Sequence, residues 1–306
     1  MEKNISFKII YLRQNQGHGN ARRIGLSNCS NNLVALMDAD DISLPDRFFY
    51  QLHAFASYES IDVVGGQITE FIGEPSNVVG KRTVPEEHND IKKFMKKRCP
   101  MNQVSVMFKK SSVEKAGGYL DWYCEEDYYL WIRMFKNGSK FKNVRETLVN
   151  VRIGDEMSAR RGGWRYFKSE RGIQRLLLKM RYISIFRYFY NVTIRFFGEV
   201  VASNKLRTKL FKRMRSDKSN IEKSALNSEI KDSSLLFEPF SVSICVYDGD
   251  NPDWFDSALS SIVNQSIKPS EIILVVDGPI NKELTSIIQK WQRDLDSEVV
   301  CNYQSE

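Results

Sequence analysis

Apolar positions along this chain fall into two rhythms. Phe7-Lys-Ile-Ile-Tyr-Leu12, Leu33-Val-Ala-Leu-Met37, Ser241-Val-Ser-Ile-Cys-Val-Tyr247 and Glu271-Ile-Ile-Leu-Val-Val276 are short, β-branched and nearly continuous. Runs of that kind predict strands covered on both faces, as in a parallel sheet. Between Trp254 and Gln265 the apolar residues Phe255, Leu259, Ile262 and Val263 return at helical spacing, and 280–295 reads as a second helix. Asn102 to Lys109 is a further predicted strand, followed by a short helix over Ser111 to Ala116. Strands alternating with helices predict an α/β fold.

The strand ending at Met37 runs into Asp38-Ala-Asp40-Asp41. In an open α/β sheet, ligands sit beyond the carboxyl ends of the strands. Asp38 and Asp40, two apart on extended backbone, leave on one face. Two hard oxygen donors there suit Mg²⁺ or Mn²⁺ bridging a diphosphate. The plain alternative is an acidic turn into a helix begun by Ser43, Leu44, Pro45 and Asp46, with proline early in its first turn. Upstream, Asn15-Gln-Gly17-His-Gly-Asn-Ala-Arg22-Arg-Ile-Gly25 relaxes the backbone at Gly17 and Gly19 before a helix whose first amides could face an anion.

Strand, glycine loop, Ala-Arg helix, strand and Asp-x-Asp in this order resemble the family 2 glycosyltransferases with the nucleotide-binding GT-A fold. The resemblance implies a mixed sheet flanked by helices, but the family's first strand, first helix and second strand are missing ahead of the glycine loop. Their counterparts stand at the far end, as Ser241–Asp248, Trp254–Gln265 and Glu271–Gly278. The chain therefore reads as a circularly permuted GT-A domain: 1–159 the Asp-x-Asp and acceptor half, 160–215 a basic helical segment, 216–239 a polar linker, 240–306 the first part of the nucleotide fold. Joining Glu306 to Met1 would restore the family's order. A separate C-terminal module is the competing view, but two strands and two helices bury little apolar area alone.

The resemblance also implies site residues. Tyr247, Asp248 and Asp277 should line the base and ribose pocket with Gly17. Arg22 should lie near the uracil or phosphates, Asp38 near the ribose and Asp40 on the metal, with Asp41 assisting or capping the next helix. A Gly117-Gly-Tyr segment leads to Glu125-Glu126-Asp127, then Leu130, Trp131 and Arg133. This makes Asp127 the general base and Glu126 its neighbour in the acceptor site, while Glu125 reads as an acid favoured by the helix dipole. After Val149 the frequent Arg-x-His is absent. Arg160, Arg161 and Trp122 remain candidate contacts to diphosphate or acceptor.

Charge adds a partner. Of a net +7, the stretch from Arg160 to Arg215 carries about +14, with sixteen Lys or Arg against Glu170 and Glu199. Interleaved aromatics there make a membrane-surface signature, and packing on the catalytic body is its simple alternative. Nothing resembles a nucleic-acid motif. The five cysteines lack metal-ligand spacing and read as free thiols in a reducing compartment. His18, His53 and His88 are scattered, and His18 reads as a solvated loop residue. No leader or membrane span is evident. The expectation is a Mn²⁺- or Mg²⁺-dependent inverting transferase on the inner face of the bacterial cell membrane. It would move galactose or glucose from a UDP-sugar to a sugar on undecaprenyl diphosphate during O-antigen or exopolysaccharide synthesis. An inactive membrane- or nucleic-acid-binding protein on the same fold is the alternative.

Overall fold

The computed structural model describes residues 5–58, 60–154, 162–201 and 237–303. One mixed sheet organises them. Its strands are β1 (Ser6–Leu12), β2 (Leu33–Asp38), β3 (Ile42–Ser43), β4 (Val63–Phe71), β5 (Val78–Arg82), β6 (Met107–Lys109), β7 (Phe141–Arg152), β8 (Phe240–Val246), β9 (Glu271–Val276) and β10 (Asp296–Tyr303). Their order across the sheet is β10-β1-β9-β8-β2-β6-β4-β7-β3, with β5 on β4. The helices are α1 (His18–Asn28), α2 (Arg47–Ser57), α3 (His88–Met95), α4 (Lys110–Lys115), α5 (Glu126–Lys136), α6 (Gly163–Lys179), α7 (Ile185–Arg195), α8 (Pro252–Val263) and α9 (Lys282–Asp294). No helix among the described residues is long and apolar enough to cross a membrane.

The C-terminal strands lie inside this sheet and do not form a module of their own. β8 runs parallel to β2 from Leu33 opposite Phe240 to Asp38 opposite Cys245. On its other side β8 pairs with β9, and β9 pairs with β1, both in parallel. Alternate residues of these strands feed two cores. Ile10, Leu12, Leu36 and Val275 face α1, α5 and α6. Phe7, Ile9, Met37 and Ile244 face α8 and α9 through Phe255, Leu259, Leu284 and Ile288. Cover on both faces is why these strands read as continuous apolar runs. Both C-terminal helices start on asparagine caps: Asn251 accepts from the Asp253 and Trp254 amides ahead of Pro252, and Asn281 accepts from that of Leu284.

A third C-terminal strand, β10, was not anticipated. It lies outside β1 and parallel to it, from Asp296 opposite Ser6 to Tyr303 opposite Leu12. The end of α9 thus meets the start of β1, while β10 carries the chain to β1's far end. Two segments can therefore follow α9 as the next strand: β10 by chain continuity and β1 by its place beside β9. The expected meeting of Met1 with Glu306 lies outside the described residues.

Two local expectations are corrected. Asn102 to Lys109 is not one strand. Gln103–Ser105 is a 3-10 turn, closed where Ser105 N–H and Oγ both donate to the Asn102 carbonyl, and only Met107–Lys109 joins the sheet. The helix after Asp41 does not begin at Ser43. Ile42–Ser43 pairs with β7, the Leu44 amide donates to Leu148 O, and α2 starts at Arg47. C-terminal residues hold this extended stretch: the Ser43 amide donates to Ser261 Oγ at 3.1 Å, and Gln265 Nε2 donates to Leu44 O at 2.8 Å.

Buried Glu271, at the start of β9, ties the two ends of the chain at the opposite edge. It accepts from the Ser30 amide at 2.5 Å, Ser241 Oγ at 2.5 Å and Lys8 Nζ at 3.1 Å. Burial alone would raise its pKa, but the hydrogen bonds from Ser241 and the Ser30 amide outweigh it and the pKa is lowered. A carboxyl depressed on folding adds stability above its unfolded pKa, and that stability disappears as pH falls through the folded value. Glu271→Gln should therefore destabilise the protein by about 1–3 kcal/mol at pH 7. In denaturant titrations the gap to wild type should close on acidification below the ordinary carboxylate range; a gap independent of pH would remove the charge from this clasp.

Candidate active site

The parallel register brings the carboxyl ends of β1, β9, β8 and β2 to one edge. A cavity of about 160 Å³ opens there, lined by Asn15, Gly17, His18, Ala21, Cys245, Val246, Tyr247 and Asp277. Tyr247 and Asp277 from the C-terminal stretch thus meet the glycine loop. His18 is exposed but lines this same cavity, its ring 6.2 Å from that of Tyr247, so it is more than a solvated loop residue. Asp248 is exposed and is not among the cavity's lining residues.

Asp277 has a structural task here. Its oxygens accept from the Gln16 amide at 2.7 Å and the Gly17 amide at 3.0 Å, fixing the loop that enters α1. Gly278 beside it adopts φ +91°, and a Cβ there would lie 2.6 Å from the Asn15 amide nitrogen. Only glycine permits that approach.

At the tip of β2 the acids diverge. Asp41 is buried and accepts from the Arg152 amide at 2.9 Å, so it caps no helix. Burial, then the charges of Asp40 and Asp38, raise its pKa well above the usual range. Arg152 Nε donates to Asp40 O at 3.2 Å, and its guanidinium lies 4.6 Å from the Phe71 ring centroid and 4.3 Å from that of Trp254. Beneath the turn, fully buried Arg47 donates to Leu36 O at 2.7 Å and Ser43 Oγ at 2.9 Å. Burial depresses its pKa to about 9 against the pull of Asp41 and Asp38. Asp250, after β8, is lifted to about 7 by burial and by the charges of Asp40 and Asp38, against the lowering bond from the Tyr247 amide. Arg47, Arg152, Trp254 and Asp250 escaped the sequence reading. An arginine four residues before a glutamine on one helix was the only signal for the first, and the rest carried none.

Arg22 joins this edge to α5. Its guanidinium donates to Asp38 at 3.1 Å and to Glu126 at 2.8 Å, with only 11% of the side chain exposed. Burial opposes its charge, but Asp38 and Glu126 outweigh burial and its pKa is raised. Next to Glu126, half-buried Asp127 receives the Cys99 thiol at 3.6 Å and the Tyr128 amide at 2.6 Å. Burial first, and then the Glu126 charge, raise the Asp127 pKa. A carboxylate shifted toward neutrality suits proton abstraction.

The motif around α5 has a mechanical basis. Gly117 and Gly118 take φ +87° and +66°, and Arg133 Nη2 closes the turn on Gly118 O at 2.7 Å while stacking 4.4 Å over Tyr129. Glu125 is more than a dipole-favoured acid: it is buried and accepts from Tyr166 Oη at 2.8 Å, which joins α5 to α6. Trp122 packs against Tyr129 at 4.6 Å and donates to Ser169 O at 3.4 Å, and its ring fills the space a Cβ at Gly172 would need. Arg160 and Arg161 lie outside the described residues. Cys29, Cys99 and Cys245 are free thiols.

A family model described as glycosyl transferase family 2 matches residues 1–115. The chain is 40% identical over 185 residues to an uncharacterized glycosyltransferase of Haemophilus influenzae, covering 58% of this chain and 68% of that protein. It is 36% identical over 179 residues to the amylovoran biosynthesis glycosyltransferase AmsE of Erwinia amylovora, covering 58% and 66%. It is 32% identical over 200 residues to the UDP-Gal:alpha-D-GlcNAc-diphosphoundecaprenol beta-1,3-galactosyltransferase of Escherichia coli, covering 65% and 72%. The matches thus span about two thirds of each relative's length.

The Arg22 bridge can be weighed directly. Arg22→Gln leaves two acids facing each other and should cost about 3 kcal/mol, the low end for breaking a buried pair because Asp38 is partly solvated. Adding Glu126→Gln should restore part of that loss. A coupling energy under about 0.5 kcal/mol between the two substitutions in chemical denaturation would show that the bridge holds nothing.

Proposed function

Since the chain belongs to glycosyl transferase family 2, we propose that it transfers a hexose, galactose or glucose, from a UDP-sugar to a sugar carried on a lipid diphosphate. The observation that carries this is Arg22, whose one guanidinium spans Asp38 at the nucleotide edge and Glu126 beside Asp127. A donor lying in the cavity of Tyr247, His18 and Asp277 would present its sugar toward that bridge. The Escherichia coli relative's name specifies UDP-galactose and a diphosphoundecaprenol-linked acceptor, and two other relatives are named for amylovoran and O-antigen biosynthesis. These names support the choice of donor and acceptor class.

Asp127 acts as the base. Its carboxylate takes the proton from the acceptor hydroxyl as that oxygen attacks the anomeric carbon, while the nucleoside diphosphate departs from the opposite face. From an α-linked donor this inversion gives a β-linkage. Glu126, ion-paired with Arg22, orients the acceptor. The Asp277 clasp holds the glycine loop in place for the nucleotide.

A divalent cation fits the tip of β2. Asp40 and Asp38 lie close enough to Asp250 for their charges to add to burial in lifting it to about 7, and hard carboxylate oxygens suit Mg²⁺ or Mn²⁺. Among the described residues no group of three His, Cys, Asp or Glu is placed to hold a metal alone. One or two carboxylates suffice for an ion shared with substrate phosphates. Asp40 and Asp38 would hold it, and when bound it neutralises charge on the departing diphosphate.

The test is single-turnover transfer from UDP-galactose and UDP-glucose to a synthetic lipid-diphosphate sugar with Mn²⁺. Asp127→Asn should keep donor binding and lose about 10²–10⁴-fold in rate. In the wild type the rate should fall as acid protonates Asp127, at a pH above the ordinary carboxylate range because its pKa is raised, and the variant should lack that limb. Asp40→Ala should instead abolish Mn²⁺-dependent donor binding in calorimetry. Near-normal transfer in Asp127→Asn would move the base elsewhere, and no turnover of either UDP-sugar would favour a binding protein on this fold.

A further inference from the structure

The helical segment after β7 carries an apolar face with no cover among the described residues. On α7 and the π-helical turn Phe196–Val201 that extends it, Phe186 is 83% exposed, and Phe189, Tyr190, Ile194, Phe197 and Val201 are each more than half exposed. At about 100° per residue these six fall on one side of the helix. The opposite side is fastened to the body: Asn191 Nδ2 donates to Lys96 O at 2.9 Å, and Arg195 donates to Lys97 O at 2.6 Å and to Glu170 at 2.7 Å. The face is thus held outward by polar bonds behind it.

Those bonds place a second feature beside it. Lys92, Lys93, Lys97 and Arg98 are exposed around the end of α3, on the turn that the inner side of α7 grips. Arg187 adds another cation over Tyr190, 5.5 Å from its ring. The next residue along the turn is Cys99, whose thiol reaches Asp127. An apolar helix face and a basic rim therefore adjoin the turn whose Cys99 touches the acid proposed as base.

We propose that this face is a membrane-docking surface for an anionic bilayer: Phe186, Phe189, Tyr190 and Phe197 enter the acyl boundary while Lys92, Lys93, Lys97 and Arg98 meet lipid phosphates. Charge complementarity selects this occupant. Nucleic acid would meet the cations but leave the phenylalanines in water, and an apolar protein surface would have no use for the rim. Basic amphipathic helices with aromatic faces lie in the interface plane. Docking in this way sets the turn whose Cys99 touches Asp127 at phosphate level, where a lipid-borne diphosphate acceptor is found. That last link rests on the transferase reading, whereas the docking itself does not.

The test uses the full chain in flotation with phosphatidylcholine vesicles, with and without phosphatidylglycerol. Wild type should float with the anionic vesicles and far less at high salt. Phe186→Asp/Phe189→Asp and, separately, Lys97→Glu/Arg98→Glu should each lower partitioning at least tenfold, with unfolding midpoints near that of wild type. Flotation unchanged in both variants overturns the proposal. So does a wild type that fails to float but forms a dimer broken by the aspartates, because the face is then a contact between copies of the chain. Transfer to a vesicle-borne acceptor should fall in both variants while transfer to a short, water-soluble acceptor persists. Flotation that responds as expected without transfer to either acceptor keeps the docking face and removes the transferase reading.

Discussion

The sheet depends on β8, which lies between β2 and β9 although some two hundred residues of chain separate it from β2. Without β8 and β9, the strands β1 and β2 have no neighbour between them, and the tips that carry the glycine loop and the Asp-x-Asp stand apart. Closing so long a loop costs only a few kcal/mol of chain entropy, because that cost grows logarithmically. Folding speed bears the larger consequence, since non-local pairing must precede completion of the central sheet. Local contacts then confirm the register: Glu271 ties β9 to Lys8 and Ser30 at one edge, and Asp277 ties it to Gln16 and Gly17 at the other.

Electrostatics across the two halves follows from that placement. Arg22 reaches Asp38 and Glu126 only because α1 packs on β8 closely enough that a Cβ at Gly25 would lie 2.4 Å from Ser243 Oγ. The guanidinium then divides the carboxylates into two kinds. Asp38 and Glu126 share its charge, while Asp127, next to Glu126, has its pKa raised by burial and by that neighbour's charge. One cation thus sets the two acids it pairs with apart from a third whose pKa is raised.

Much of this was legible in the sequence, for identifiable reasons. β1, β2, β8 and β9 are covered on both faces, so their apolar runs are unbroken, and they fall within a residue or two of expectation. The resemblance of 240–278 to a family's opening strands placed them in the same sheet, which composition alone could not do. Asn102–Lys109 misled because apolar Val104 and Val106 alternate as in a strand, while Asn102 and Ser105 bond locally and curl the backbone. Ser43–Asp46 misled because a proline and an aspartate resemble a helix start, whereas Leu148, Ser261 and Gln265, all distant in sequence, hold it extended. The roles of Arg47 and Arg152 could not be read at all. A buried arginine and a surface arginine look alike until the carbonyls they serve are known.

Those two arginines complete the logic of the strand tip. Four acids, Asp38, Asp40, Asp41 and Asp250, crowd together there, and burial, then the charges of Asp40 and Asp38, raise the pKa values of Asp41 and Asp250. The fold answers with cations on three sides: Arg47 beneath, Arg22 toward α5, and Arg152 clamped between Phe71 and Trp254. Arg47 and Arg152 mainly bind carbonyls, at Leu36, Asp40 and Gly73, so they fix the backbone of the turn. A turn held by such contacts keeps its carboxylates where the fold sets them. Trp254 comes from the C-terminal stretch and Arg152 from β7, so even this clamp closes only when the distant ends of the chain share one sheet.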